Sequence, residues 1–122
     1  DWDFLLSLNI EILSINAYAH GDVFATYPNV KDFLEKGNII SWGIVPTYFE
    51  EFYNENVTTI TKRLEAIWKI LEKRGLDLDL IVENSMLAPA TCNLLNPDKT
   101  TTVEKSFGLL TDLSNHLKEK YL

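Results

Sequence analysis

Three short aliphatic runs, each followed by a stretch of helical periodicity, constrain this chain more than any other feature. Residues 10–17, 38–45 and about 80–86 are rich in Ile, Val and Leu and read as strands. The segments between them are patterned as helices. Pro28 suits a first helical turn, Val30, Phe33 and Leu34 follow at helical spacing, and Gly37 ends that helix. The longest helix carries Val57, Ile60, Leu64, Ile67, Trp68 and Leu71 on one face, with Asn56 or Thr58 to cap its start and Gly75 its end. Its Lys62, Arg63, Glu65, Lys69, Glu72 and Lys73 fall on the solvated side. A last helix opens with the capping box Thr101-x-x-Glu104 and buries Val103, Phe107, Leu110, Leu113 and Leu117, a stripe widened by Leu109 and Tyr121. Ahead of the first strand, Trp2, Phe4, Leu5, Leu6 and Leu8 read as the last turns of a preceding helix.

Strands separated by helical crossovers pair in parallel, and right-handed crossovers put their carboxyl ends on one rim. That rim would gather Asn16, Tyr18 and His20 after the first strand, Pro46 and Thr47 after the second, and Ser85 and Cys92 after the third. Ligands bind at this end of parallel sheets. The expected class is therefore α/β with a parallel sheet.

Composition narrows the partners. Of 122 residues, 18 are acidic and 11 basic, a formal charge of −7, and no run concentrates Lys and Arg. Nucleic acid and anionic membrane surfaces are poor partners for such a chain. No apolar stretch approaches the roughly 20 residues of a membrane span. Cys92 is the single cysteine, which excludes an internal disulfide and points to a reducing, cytoplasmic setting.

No Gly-rich phosphate loop, CxxC, HExxH, GxSxG or EF-hand loop occurs. Cys92 is either a small buried residue or a thiol kept for reactivity or metal binding, and a thiol–imidazole pair with His20 is one arrangement to test. His116 on the last helix reads as a surface residue. Trp42 beside Gly43 either lines a pocket or fills the core. Pro46-Thr47 is a ligand-shaping turn or a simple strand stop. Ser85 suits a local hydrogen bond better than a nucleophile's role, since no base accompanies it. Asn16 orients a ligand or satisfies loop amides.

Four motifs stand in order: Asp1-Trp2 with its leucines, Glu11-Ile12-Leu13-Ser14-x-Asn16-Ala17-Tyr18, Trp42-Gly43-Ile44-Val45-Pro46-Thr47, and Ser85-x-Leu87-Ala88-Pro89-Ala90-Thr91-Cys92. In these, and in the closing Val103-Glu104-x-x-Phe107 and Leu113-Ser114-x-x-Leu117, the whole chain resembles the C-terminal part of proteins of the uroporphyrinogen decarboxylase and cobalamin-independent methionine synthase superfamily. The resemblance implies that residues 1–122 are the C-terminal portion of one TIM (β/α)8 barrel, about three to four βα units. It further implies a zinc-dependent methyltransferase acting on a small-molecule thiol and a methyl donor. Cys92 would be one zinc ligand, and Asn16, Tyr18, Trp42, Thr47 and Ser85 would contact substrate. The family's His-x-Cys-type pair would fall before Asp1, so the zinc site is incomplete in this chain and the chain alone is expected to be inactive. Two rival readings are a metal-free, tetrapyrrole-binding decarboxylase relative and a non-catalytic assembly module. A partial barrel exposes two sheet edges, so self-association into a homo-oligomer is expected.

Overall fold

The aliphatic runs pair as a three-stranded parallel sheet in a computed structural model that describes residues 2–91 and 96–122. In chain order the elements are α1 (Trp2–Ser7), β1 (Ile12–Ile15), α2 (Ala17–Phe24), α3 (Pro28–Glu35), β2 (Ile39–Val45), α4 (Phe49–Phe52), α5 (Val57–Lys73), α6 (Leu78–Glu83), β3 (Ser85–Pro89) and α7 (Thr101–Tyr121). Strand order follows sequence order, β1-β2-β3. Each strand step along the sheet is thus bridged by helix, which is why no hairpin forms.

Register decides what each face carries. Leu13 pairs with Ile40, Ile15 with Trp42 and Trp42 with Leu87, so these side chains share one face, and Leu13, Ile15, Ile40 and Trp42 are buried under the helices. The helices supply Phe24, Val30, Phe33, Leu34, Ile60, Leu64, Ile67, Trp68 and Leu71 to the same core. Alternate positions point the other way. Ser14 pairs with Ser41, Ser41 with Met86, and Gly43 with Ala88. On this second face Ile12 and Met86 are 51% and 47% exposed and Ser14 is exposed. Helices thus cover one side of the sheet and leave the other side bare at β1 and β3.

Local chemistry accounts for the element boundaries. Asn56 and Thr59 form a reciprocal capping box at the start of α5, each side chain accepting the other's backbone N–H. Gly37 and Gly75 take positive φ, 86° and 100°, just past α3 and α5, where a side chain would be strained.

Four expectations need correction. The third strand begins at Ser85, not near Leu80, because Asp77 accepts the Asp79 N–H and turns residues 78–83 into α6, with Ile81 fully buried. A short aliphatic run fits either state, and the cap tips it to helix. The segment holding His20, Gly21 and Asp22 is not loop but α2, capped by Asn16. In α7, Thr101 is the first helical residue rather than the cap, and the Asp98 carboxylate accepts the Thr102 hydroxyl at 2.6 Å. Phe107 is 51% exposed, because the inward position is taken by Ser106, whose hydroxyl bonds the Pro46 carbonyl at 2.9 Å. Among the described residues no helix is long and apolar enough to cross a membrane.

Candidate functional site at the carboxyl rim

β1 ends at Ile15, and the side-chain oxygen of the next residue, Asn16, accepts the Ala19 N–H at 3.1 Å and starts α2. One turn in, the Tyr18 hydroxyl donates to Glu55 Oε2 at 2.7 Å. Arg63 Nε lies 2.8 Å from the same oxygen, and its guanidinium carbon sits 4.7 Å from the Tyr18 ring centroid. The Glu55 side chain is only 3% exposed, so a nearly buried carboxylate is held by two donors. Burial, followed by the hydrogen bond to Glu55 and its negative charge, pushes the Tyr18 phenol up to about 12. Tyr18 therefore stays protonated at neutral pH and acts as a strut between α2 and the approach to α5.

β2 ends at Val45, and Pro46 and Thr47 follow it. Thr47 is 2% exposed, and its hydroxyl lies 2.9 Å from that of Thr91, beyond the end of β3. Asn96 completes the joint: its amide donates to the Thr47 carbonyl at 2.8 Å and its oxygen accepts the Phe49 N–H at 2.7 Å. The segments leaving β2 and β3 are thereby stitched together through four residues. Gly43 permits this closeness, since a Cβ there would stand 2.6 Å from the Ile15 carbonyl oxygen and 2.9 Å from that of Pro89.

Sequence reasoning placed Ser85 at the carboxyl rim, and the structure moves it to the opposite end. Ser85 is the first residue of β3, accepts the Trp42 indole N–H at 2.8 Å and donates to the Ile81 carbonyl at 2.6 Å. Trp42 itself is fully buried on the helix-covered face, edge-on to Phe24 with centroids 5.9 Å apart. Asn16, Tyr18 and Thr47 share the carboxyl rim, whereas Trp42 and Ser85 bond to each other away from it. Cys92 lies outside the described residues.

Glu55, Arg63, Thr91 and Asn96 are rim residues that sequence reasoning missed. Arg63 sits on a face that reads as solvated, and only the fold brings α2 beneath it. Asn96-Pro97-Asp98 carries a turn signature that marks a polar junction, though not what it joins. Among the described residues no three His, Cys, Asp or Glu side chains form a metal-binding group, and the Asn16 oxygen is engaged as a cap. His20 is exposed, its ring 6.0 Å from that of Trp2. The rim hydroxyls and amides bond to one another and to nearby backbone, so the strand exits form a cross-braced platform.

No family model, curated protein or solved structure matches the chain.

Proposed function

We propose that this chain is a run of βα units from a TIM barrel of the methionine synthase type, contributing one wall of a thiol methyltransferase. Cys92 is assigned as one zinc ligand, with the remaining ligands supplied from outside the chain. Zinc in such a site supplies a thiolate-stabilising charge for the acceptor sulfur. The chain's own rim positions substrate through Asn16, Tyr18 and Thr47, and Trp42 and Ser85 hold the wall that carries them.

The observation that supports this reading is the single-sided winding: three parallel strands in sequence order, helices on one face, and Ser14, Ser41, Gly43 and Ala88 on the other. Sheets wound on both sides reverse their strand order at a switch point, whereas barrels keep it. The test is metal content and methyl transfer by the protein that carries this chain. It should hold about one zinc per chain and lose most of it on Cys92→Ser. Full metal content in the variant overturns the assignment.

A second reading, an assembly module, is favoured by the exposed Ile12 and Met86 and by a groove of about 500 Å³ beside β3, lined by Trp68, Met86, Leu87, Leu110 and Leu117 among others. β3 has no strand on its outer edge among the described residues, so backbone and apolar groups lie open together. On this reading the chain associates with a second copy and transfers no methyl group. Sedimentation velocity together with the methyl-transfer assay separates the two.

A further inference from the structure

The segment leaving β2 reads Tyr48-Phe49-Glu50-Glu51-Phe52-Tyr53, and it places aromatic rings where a strand-to-helix connection normally carries polar side chains. Tyr48, Phe49 and Tyr53 are 46%, 39% and 47% exposed. The Phe49 and Phe52 rings pack against Tyr53, at 4.9 Å and 5.1 Å between centroids, and Tyr48 precedes them in the chain. Between α4 and Asn96-Pro97 runs a groove of about 350 Å³, lined by Tyr48, Phe49, Glu50, Glu51, Asn96 and Pro97. The two hydrogen bonds of Asn96 to Thr47 and Phe49 hold both of its walls.

Charge says what this groove suits. Among the described residues neither Glu50 nor Glu51 forms an ion pair, in a chain of formal charge −7. The cluster already takes a cation from its own chain: Lys105 Nζ lies 5.3 Å from the Tyr53 ring centroid and 3.3 Å from its hydroxyl. Aromatic faces beside uncompensated carboxylates attract a planar, weakly hydrated cation most strongly, and guanidinium is that group. The groove's volume is near the lower end of the roughly 300–1,000 Å³ of ligand pockets, suited to one side chain of a longer segment. Exposed tyrosines facing arginine are also the usual anchors of protein interfaces.

We propose that the α4 groove docks an arginine-bearing segment of a partner protein, with the guanidinium held between the Tyr48 and Phe49 rings and the Glu50 and Glu51 carboxylates. This inference does not rest on the methyltransferase reading, because it uses only α4 and its clamp.

Fluorescence anisotropy with a labelled, end-blocked peptide of alternating arginine and leucine tests it on the full chain. Saturable binding should weaken about tenfold with E50Q/E51Q and with Phe49→Leu, which keeps apolar area and removes the ring face. A peptide with norleucine in place of arginine should not bind. D112N/E119Q, which removes the same charge from exposed positions on α7, should change affinity less than about twofold. Equal losses from the two double variants would reduce the effect to bulk charge and overturn the proposal, as would no saturable binding. Methylguanidinium alone competing at the peptide's own affinity would also overturn it, by showing a small-cation site instead of a protein-docking one.

Discussion

At the scale of single residues the molecule is decided by a few buried polar atoms and one missing side chain. Trp42 is fully buried and spends its indole N–H on Ser85. Trp42→Phe is expected to cost roughly 1–3 kcal/mol in denaturant unfolding, from lost volume and the lost indole bond, while Ser85 keeps its bond to the Ile81 carbonyl. Gly43→Ala meets backbone on both sides, so neither neighbour can rotate away. Its cost should reach the upper part of the roughly 1–3 kcal/mol typical of overpacking. Tyr18 carries a pH signature. Its phenol is raised from 10.0 to about 12, so the stability it contributes is fully present below pH 10 and disappears as pH rises through 12. Thermal melts of Tyr18→Phe should therefore lose less stability across that window than the unsubstituted protein. Tyr121 shows the same direction, raised to about 12 by burial and then by its hydrogen bond to Glu65, and it should titrate late with Tyr18 in ultraviolet difference spectra. The pairing of Tyr18 with Glu55, 37 positions away, has no periodic signature in the sequence.

At the scale of elements, what was legible tracks the strength of local signals. α5 combines a long apolar stripe with the Asn56 cap and begins and ends where its sequence says it should. Asn56→Ala breaks the capping box and is expected to cost about 1 kcal/mol, seen as an earlier melt with helix content otherwise kept. β2 is legible for the same reason: a mainly apolar run, stopped by Pro46, is buried on both faces. Residues 78–83 were not legible as helix, since six residues carry fewer than two turns of periodicity and the deciding bond is one Asp77 side chain. α7 is instructive in its details. Its stripe was anticipated, but the inward turn at Thr102 and Ser106 is polar because Asp98 and Pro46 accept their hydroxyls. Asp98→Ala should destabilise the start of α7 by about 1 kcal/mol, read as faster amide exchange over its first turn.

At the scale of the whole molecule, helices cover one face of the sheet, and the other face is exposed at the edge strands β1 and β3. Ile12, Met86 and the open edge of β3 should drive concentration-dependent association, measurable by sedimentation velocity, and Met86→Lys should shift the weight-average mass toward monomer. A mass independent of concentration would count against an exposed sheet as the source of assembly. The sequence by itself determined the class and polarity of the fold, because alternating aliphatic runs and helical stripes leave parallel pairing as the economical way to bury both. It also placed Asn16, Tyr18 and Thr47 at strand ends. Only the tertiary structure decided that Ser85 belongs to the far end of the sheet with Trp42, that Glu55 and Arg63 brace Tyr18, and that Asn96 binds two strand exits together. The physical reason is range. Periodicity and caps act over a few residues, whereas these contacts join positions about 40 to 50 apart, whose meeting depends on strand register and helix packing together.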